Sequence, residues 1–224
     1  MFLIFPWDLK HASIKGGPPL TNLALIACNV LVFLLGWHWT VGPGSTLMSI
    51  VLYGFSHVSW WHLVVNMWAL WVFGNPLNRR IGAGYYLLAY LGTIVLVGLV
   101  AWFFLDSNLS GASGAIYAVI IMVLILIPAA VLRVACVALF PLTILVGLLA
   151  RPRHWFEWLI RAALIPVPAL WCLALIPLLE LVSLCWPCWN WAAMAHLLGM
   201  LCGAGAVLLL PTRISMPRGV GAIR

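Results

Sequence analysis

Long apolar stretches constrain the fold of this chain more than any other feature. A helix that spans a bilayer needs about 20 mostly apolar residues. Six stretches of about that length lie at 20–37, 57–74, 85–105, 113–132, 162–184 and 191–210. Only 7% of all residues are charged, which is too few to cover a water-soluble surface. The sequence therefore predicts a multi-pass integral membrane protein in contact with a lipid bilayer, and it excludes disordered, coiled-coil and disulfide-scaffold proteins.

The basic residues predict how the chain is oriented, because Lys and Arg accumulate in cytoplasmic loops. Lys and Arg lie before the first stretch, after the second, between the fourth and the fifth, and after the sixth. The other loops contain no Lys or Arg, and their one charged residue is Asp106. Both termini are therefore expected in the cytoplasm. We expect a cytoplasmic segment at 1–19, a transmembrane domain at 20–211 and a basic cytoplasmic tail at 212–224. The basic residues form no stripe, so no nucleic-acid partner is expected.

One further apolar stretch lies at 134–150, between Arg133 and Arg151. If this stretch crossed the membrane, one of the flanking basic clusters would lie outside. We interpret it as a re-entrant or membrane-surface segment, or as a helix covered by protein; a seventh span is the alternative. The predicted fold class is an all-α membrane protein with six transmembrane helices and this extra segment between helices 4 and 5.

Polar residues inside the second, fourth and sixth stretches point to a site, because ionisable groups in a membrane are costly. At about 1.5 Å rise per residue, three of these side chains fall within roughly 10 Å of the outer boundary. They are His62, Ser113 and His196. A common depth on three helices predicts that these side chains meet.

The residue types favour nucleophilic chemistry. Ser113 and Gly114 open a helix, where backbone N–H groups are unpaired and available to a developing anion. A serine hydroxyl is a weak nucleophile until a base takes its proton, and His196 is a suitable base. No Asp has a spacing that suggests a third member, so a Ser–His dyad is the interpretation. Taken alone, Ser113 is more typical of a packing serine and His196 of a buried hydrogen-bonding residue, so the interpretation depends on their occurring together at one depth.

Neighbouring residues supply further groups. Asn66 lies four residues after His62 and therefore on the same helix face, and both side chains can donate hydrogen bonds to an oxyanion. Tyr117 could stack on the imidazole of His196 and restrict its orientation. Small residues recur at four-residue spacing in the fourth and sixth stretches, which would press these two helices together. These small residues are Gly114, Ala118, Gly199 and Gly203.

Three motifs together resemble the rhomboid family of intramembrane serine proteases. They are His57-x4-His62-x3-Asn66, Gly111-x-Ser113-Gly114-x2-Tyr117-Ala118 and Ala195-His196-x2-Gly199-x3-Gly203. The resemblance implies a six-helix core, with Ser113 as nucleophile and His196 as general base. It also implies an oxyanion stabilised by His62, Asn66 and the Ser113 N–H. The remaining motif residues, namely His57, Gly111, Gly114, Tyr117 and Gly199, would support the site.

The family resemblance further implies substrates that are membrane-anchored proteins, cut in or near a transmembrane segment, and a reaction that requires no metal or organic cofactor. A bacterial inner membrane is the expected host. Two alternatives remain: a non-catalytic rhomboid-like binder of transmembrane segments, and a transporter or redox protein that uses His57, His62 and a cysteine pair.

Several residues depart from the family pattern or resist assignment. The first external loop lacks the Trp-Arg pair common in the family, and Asn78 stands where a Glu is common. Glu180, in the fifth stretch, could polarise a catalytic group or hold a gate, or it could reach the interface or be buried and protonated. Cys185 and Cys188 could form a short disulfide, or they could be two interfacial cysteines beside a turn.

Overall fold

The computed structural model describes residues 2–10, 18–139, 141–149, 154–185 and 190–211. Outside the described residues lie the basic tail at 212–224 and also Lys15, Arg151, Arg153 and Cys188. The helices are α1 (Leu20–Leu34), α2 (Ser49–Leu52), α3 (Trp60–Ala69), α4 (Asn75–Ile81), α5 (Ala83–Phe104), α6 (Ser113–Leu126), α7 (Leu142–Leu149), α8 (Ala169–Cys185) and α9 (Trp191–Leu209). The strands are β1 (Phe2–Lys10), β2 (Val131–Leu139) and β3 (Ile160–Pro168).

Two of these helices, α5 and α9, are long and apolar enough to cross a membrane. The apolar helices α1, α6 and α8 are shorter, with 15, 14 and 17 residues. The second predicted stretch continues beyond its expected end, because a π-type turn at Leu70–Gly74 joins α3 directly to α4. The fourth stretch ends as a helix at Leu126, and the fifth begins as a helix only at Ala169.

The expectation of an all-α fold is wrong for three segments, which form an antiparallel sheet in the order β1-β2-β3. The apolar stretch at 134–150 is not a single helix, since its first half belongs to β2 and its second half forms α7. Pro166 and Pro168 of the fifth predicted stretch lie in β3 rather than in a helix, and Pro177 is the proline within α8. Apolarity alone does not distinguish a short strand from a helix.

An ion pair joins β1 to β2 at the register position where Asp8 faces Arg133. The guanidinium is bidentate, with Nε donating to Asp8 Oδ1 at 2.5 Å and a second nitrogen donating to Oδ2. This hydrogen bonding holds the pKa of the Asp8 carboxyl below its usual value. The strand is also tied to α3, because the indole N–H of Trp68 donates to the carbonyl of Pro6 at 2.5 Å.

A buried polar network joins α1, α4 and α5 around Asn22, which is fully buried. The Asn22 side chain donates to the Leu70 carbonyl at 2.9 Å and to Asn75 Oδ1 at 2.8 Å, and it accepts from the Tyr86 hydroxyl at 2.6 Å. Asn78 Oδ1 accepts from the backbone N–H of Asn22 at 3.3 Å. Asn78 is therefore part of a structural contact between helices.

The backbones of α6 and α9 touch at the predicted small residues, which confirms that these two helices are pressed together. A methyl group placed on Gly199 would overlap the carbonyl oxygen of Gly114, and one placed on Gly203 would overlap that of Ala118. By contrast, a methyl group on Gly205 in the same helix would meet nothing within 4 Å. Only a residue without a side chain permits this approach at Gly199.

We expect Gly199→Ala to destabilise the protein by about 1–3 kcal/mol, because overpacking a close backbone contact forces the helices apart. Gly205→Ala is the matched control, and it should be neutral or stabilising because Ala favours a helix more than Gly does. Thermal unfolding of both variants in the same detergent measures the difference. Equal unfolding midpoints for the two variants would show that the α6–α9 contact is looser than described.

Candidate active site

Ser113 is the first residue of α6, and the loop before it is fixed by backbone contacts. Gly111 N donates to the Tyr53 carbonyl at 2.9 Å. No side chain caps this helix N-terminus. The N–H groups of the first turn, which have no acceptor within the helix, therefore also lack a side-chain cap.

Gly111 has a backbone φ of +115°, a conformation that side-chain-bearing residues rarely adopt. A methyl group at this position would lie 2.6 Å from Cε1 of His62. The absence of a side chain thus lets the His62 imidazole pack directly against the loop that leads into Ser113. Gly111 therefore allows both the backbone turn before Ser113 and the close approach of the His62 ring.

The structure brings together Ser113 and His196, the two predicted reactive groups. His196 Nε2 lies 3.0 Å from Ser113 Oγ. His196 is in the second turn of α9, which begins at Trp191 with the Asn190 side chain accepting from the N–H groups of the first turn. The close contact of α6 and α9 one turn farther along brings the two side chains within hydrogen-bonding distance.

Tyr117 lies one turn after Ser113 and stacks on the His196 imidazole, as the sequence suggested. The ring centroids are 4.2 Å apart and the planes differ by 19°. The hydroxyl of Tyr117 donates to Glu180 Oε1 at 2.5 Å. The Tyr117 ring therefore restrains one face of the His196 imidazole, and the Tyr117 hydroxyl restrains the Glu180 carboxylate.

Glu180 of α8 is a site residue that the sequence analysis left unassigned. Its second oxygen, Oε2, lies 3.2 Å from His196 Nδ1. This is an ion-pair distance, although the Nδ1–H direction does not meet hydrogen-bond geometry. The side chains are 14% exposed for Glu180 and 19% for His196. A carboxylate within an apolar stretch was the sequence signal for Glu180. Residue spacing alone, however, does not show which neighbouring helix its side chain faces.

His62 and Asn66 lie on one face of α3, and the His62 ring packs against Gly111 in the loop before Ser113. One amide hydrogen of Asn66 is donated to the carbonyl of His62 at 2.8 Å, within the same helix. The buried His57 ring meets the His62 ring edge-on, with centroids 5.0 Å apart. Within the described ranges, no hydrogen bond joins the side chains of His62 or Asn66 to Ser113 or His196. In the same ranges, no group of three His, Cys, Asp or Glu side chains could hold a metal ion.

A family model of the rhomboid domain matches residues 44–213. The chain belongs to the rhomboid family. Family membership, together with the apolar helices α5 and α9, makes the protein an integral membrane protein. The family includes intramembrane serine proteases, so membership supports a function of this type.

Relatives with this similarity occur in mitochondria and in a bacterium. The human presenilin-associated rhomboid-like protein, mitochondrial, is 32% identical over 142 residues, or 55% of this chain and 37% of the relative. Rhomboid protein 1, mitochondrial, of Saccharomyces cerevisiae is 34% identical over 83 residues, or 34% of this chain and 24% of the relative. Rhomboid protease GluP of Bacillus subtilis is 29% identical over 128 residues, or 48% of this chain and 25% of the relative.

The matched region spans 37% or less of each of these relatives. Two of the three relatives are mitochondrial by name. The comparisons therefore do not favour the bacterial inner membrane expected from the sequence over a mitochondrial membrane.

A fluorophosphonate probe tests the reactivity of the Ser113 hydroxyl. We expect the wild-type rhomboid to be labelled and Ser113→Ala to remain unlabelled, since the probe bonds to an activated serine oxygen. His196→Ala should be labelled about 10²–10⁴ times more slowly, because this variant lacks the imidazole that contacts the Ser113 hydroxyl.

Ser110→Ala serves as the control for this labelling, because Ser110 lies in the same loop and contacts the Ser56 carbonyl rather than His196. The Ser110→Ala variant should be labelled like the wild type. Labelling of Ser113→Ala at the wild-type rate would assign the reactivity to another residue.

Proposed function

We propose that this rhomboid is a serine endopeptidase that cleaves membrane-anchored proteins in or near a transmembrane segment. The observation that carries the proposal is the 3.0 Å contact between Ser113 Oγ and His196 Nε2 at the N-terminus of α6. A hydroxyl in contact with an imidazole and next to unpaired N–H groups combines a nucleophile, a base and an anion site.

The reaction would proceed through an acyl-enzyme. Ser113 Oγ attacks the scissile carbonyl carbon while His196 Nε2 accepts the hydroxyl proton. Collapse of the tetrahedral intermediate breaks the C–N bond, and the imidazolium delivers the same proton to the leaving amine. Water then attacks the acyl carbonyl while His196 accepts a proton from it. The ester C–O bond breaks as the imidazolium returns this proton to Ser113 Oγ, which releases the second product.

The developing oxyanion would be stabilised by the first turn of α6 and by α3. The Ser113 N–H belongs to the positive end of a helix dipole, which favours negative charge. Asn66 retains one amide hydrogen beyond the one it donates within α3. The His62 ring lies against Gly111 in the loop before Ser113, and a rotated ring would donate a nitrogen-bound hydrogen to the oxyanion.

The membrane arrangement of this proposal has six crossings, formed by α1, the α3–α4 run, α5, α6, α8 and α9, with both termini on the cytoplasmic side. Basic residues would then face the cytoplasm. Substrates would be segments whose helix is weakened by Gly, Pro or polar residues. A regular helix engages each carbonyl in a hydrogen bond, so it must open before the carbonyl reaches Ser113.

Cleavage of a membrane-anchored reporter in reconstituted vesicles tests this function. Ser113→Ala and His196→Ala should each abolish detectable cleavage, while Ser110→Ala should cleave like the wild type. Equal processing by all four proteins would contradict the protease assignment and would leave a rhomboid-like binder of transmembrane segments as the function.

The oxyanion assignment predicts a separate kinetic effect. We expect His62→Ala and Asn66→Ala to lower kcat for the reporter by about 10²–10³-fold each, the range for losing one oxyanion donor, with KM little changed. Val65→Ala, on the exposed side of the same helix, is the control and should retain kcat. If either variant kept the wild-type kcat, that residue would have no part in stabilising the oxyanion.

A further inference from the structure

We infer that Glu180 completes a Ser–His–Glu triad in this rhomboid, with Tyr117 holding the carboxylate in place. The inference rests on the proposed protease function and goes beyond the dyad that the family resemblance implies. Glu180 acts through His196 and is therefore a positioning residue.

The geometry joins three helices in one chain of contacts. Each oxygen of Glu180 has its own partner: Oε1 accepts from the Tyr117 hydroxyl at 2.5 Å, and Oε2 faces His196 Nδ1 at 3.2 Å. His196 Nε2, on the opposite side of the ring, lies 3.0 Å from Ser113 Oγ. The carboxylate on α8 thus reaches the nucleophile on α6 through the imidazole on α9.

An ionised carboxylate only accepts hydrogen bonds. In the triad, the proton of neutral His196 therefore lies on Nδ1, the ring nitrogen at ion-pair distance from this carboxylate, and the ring must turn for Nδ1–H to point at Oε2. The lone pair is then on Nε2, where it faces the Ser113 hydroxyl. This is the tautomer that a general base needs, and without the anion the other tautomer becomes accessible.

The Glu180 carboxylate also stabilises the positive charge that forms on His196 during the reaction. When His196 takes the serine proton, an imidazolium arises in a site where both partners are less than one-fifth exposed. Little solvent screens the pair there, so a neighbouring anion stabilises the imidazolium more than it would in water. Among the described residues, the titratable groups around His196 are His62 on α3, Tyr117 on α6 and Glu180 on α8, and Glu180 supplies the negative charge.

Tyr117 fixes the direction of this carboxylate. Its ring lies on the imidazole, 4.2 Å between centroids, while its hydroxyl engages Glu180. The stacking and the hydrogen bond together limit the rotation of both partners. A purely structural role for Glu180 would need only the contact with Tyr117, so the contact with His196 Nδ1 is what distinguishes a triad from a simple clamp between helices.

The experiment measures kcat and KM for the membrane-anchored reporter with the full chain in lipid nanodiscs. Glu180→Gln should lower kcat by on the order of 10²-fold with KM changed less than about twofold, because the neutral amide keeps the shape and loses the charge. Glu180→Asp should recover part of this loss, and Tyr117→Phe should lower kcat less than Glu180→Gln does. Leu179→Ala, an exposed neighbour on α8, is the matched control and should keep the wild-type kcat.

A spectroscopic measurement reports the tautomer without any need for cleavage. In protein labelled with ¹⁵N-histidine, the His196 ring signals are assigned by their loss in His196→Ala. Wild type should show a protonated Nδ1 and an unprotonated Nε2, and Glu180→Gln should shift the ring toward the opposite tautomer. A role confined to helix packing would lower the unfolding temperature of Glu180→Gln and leave the tautomer unchanged.

The outcomes separate the inference from the function on which it rests. If Ser113→Ala is inactive while Glu180→Gln keeps the wild-type kcat and tautomer, the triad is overturned and the dyad protease stands. If Glu180→Gln loses stability and activity with an unchanged tautomer, Glu180 is structural and the triad is again overturned. If Ser113→Ala cleaves like the wild type, the protease function fails, and the catalytic part of the triad fails with it.

Discussion

The direct contact between the backbones of α6 and α9 is the constraint on which the site depends. Gly199 lies against the Gly114 carbonyl, and Gly203 lies against that of Ala118. In a bilayer there is little hydrophobic force between helices, so association relies on such close packing. The serine at the start of α6 and the histidine in the second turn of α9 then share one level. Their hydrogen bond is a consequence of where the two backbones touch.

Several polar groups of the site face one another across helices, which lowers the cost of placing them in a low-dielectric environment. An unpaired carboxylate in such surroundings would be costly. Glu180 instead meets the Tyr117 hydroxyl and the His196 ring. The Asn22 network likewise pairs buried polar groups, here between α1, α4 and α5. None of its residues belongs to the candidate site. Buried polar residues in this protein therefore form two separate groups, one that joins helices around Asn22 and one at the candidate site.

Much of the site could be predicted from the chain. The positions of His62, Ser113 and His196 within their apolar stretches predict a common depth, and the structure brings Ser113 and His196 into contact. The stacking of Tyr117 on His196 was also anticipated. Glu180 could not be assigned, because a helix position gives no direction to a side chain until the neighbouring helices are placed. The three strands were missed for a related reason: β1 pairs with β2 far along the chain, and a local apolar pattern does not show such a partner.

By itself, the sequence determined that this chain enters a membrane, that α6 and α9 approach closely, and that a serine and a histidine are available at one level. These features follow from local quantities, namely hydrophobicity, small-residue spacing and residue type. Only the tertiary structure decided which stretches are strands and which carboxylate faces the imidazole. Both depend on contacts between segments distant in sequence, and the energy of such contacts is absent from any local pattern.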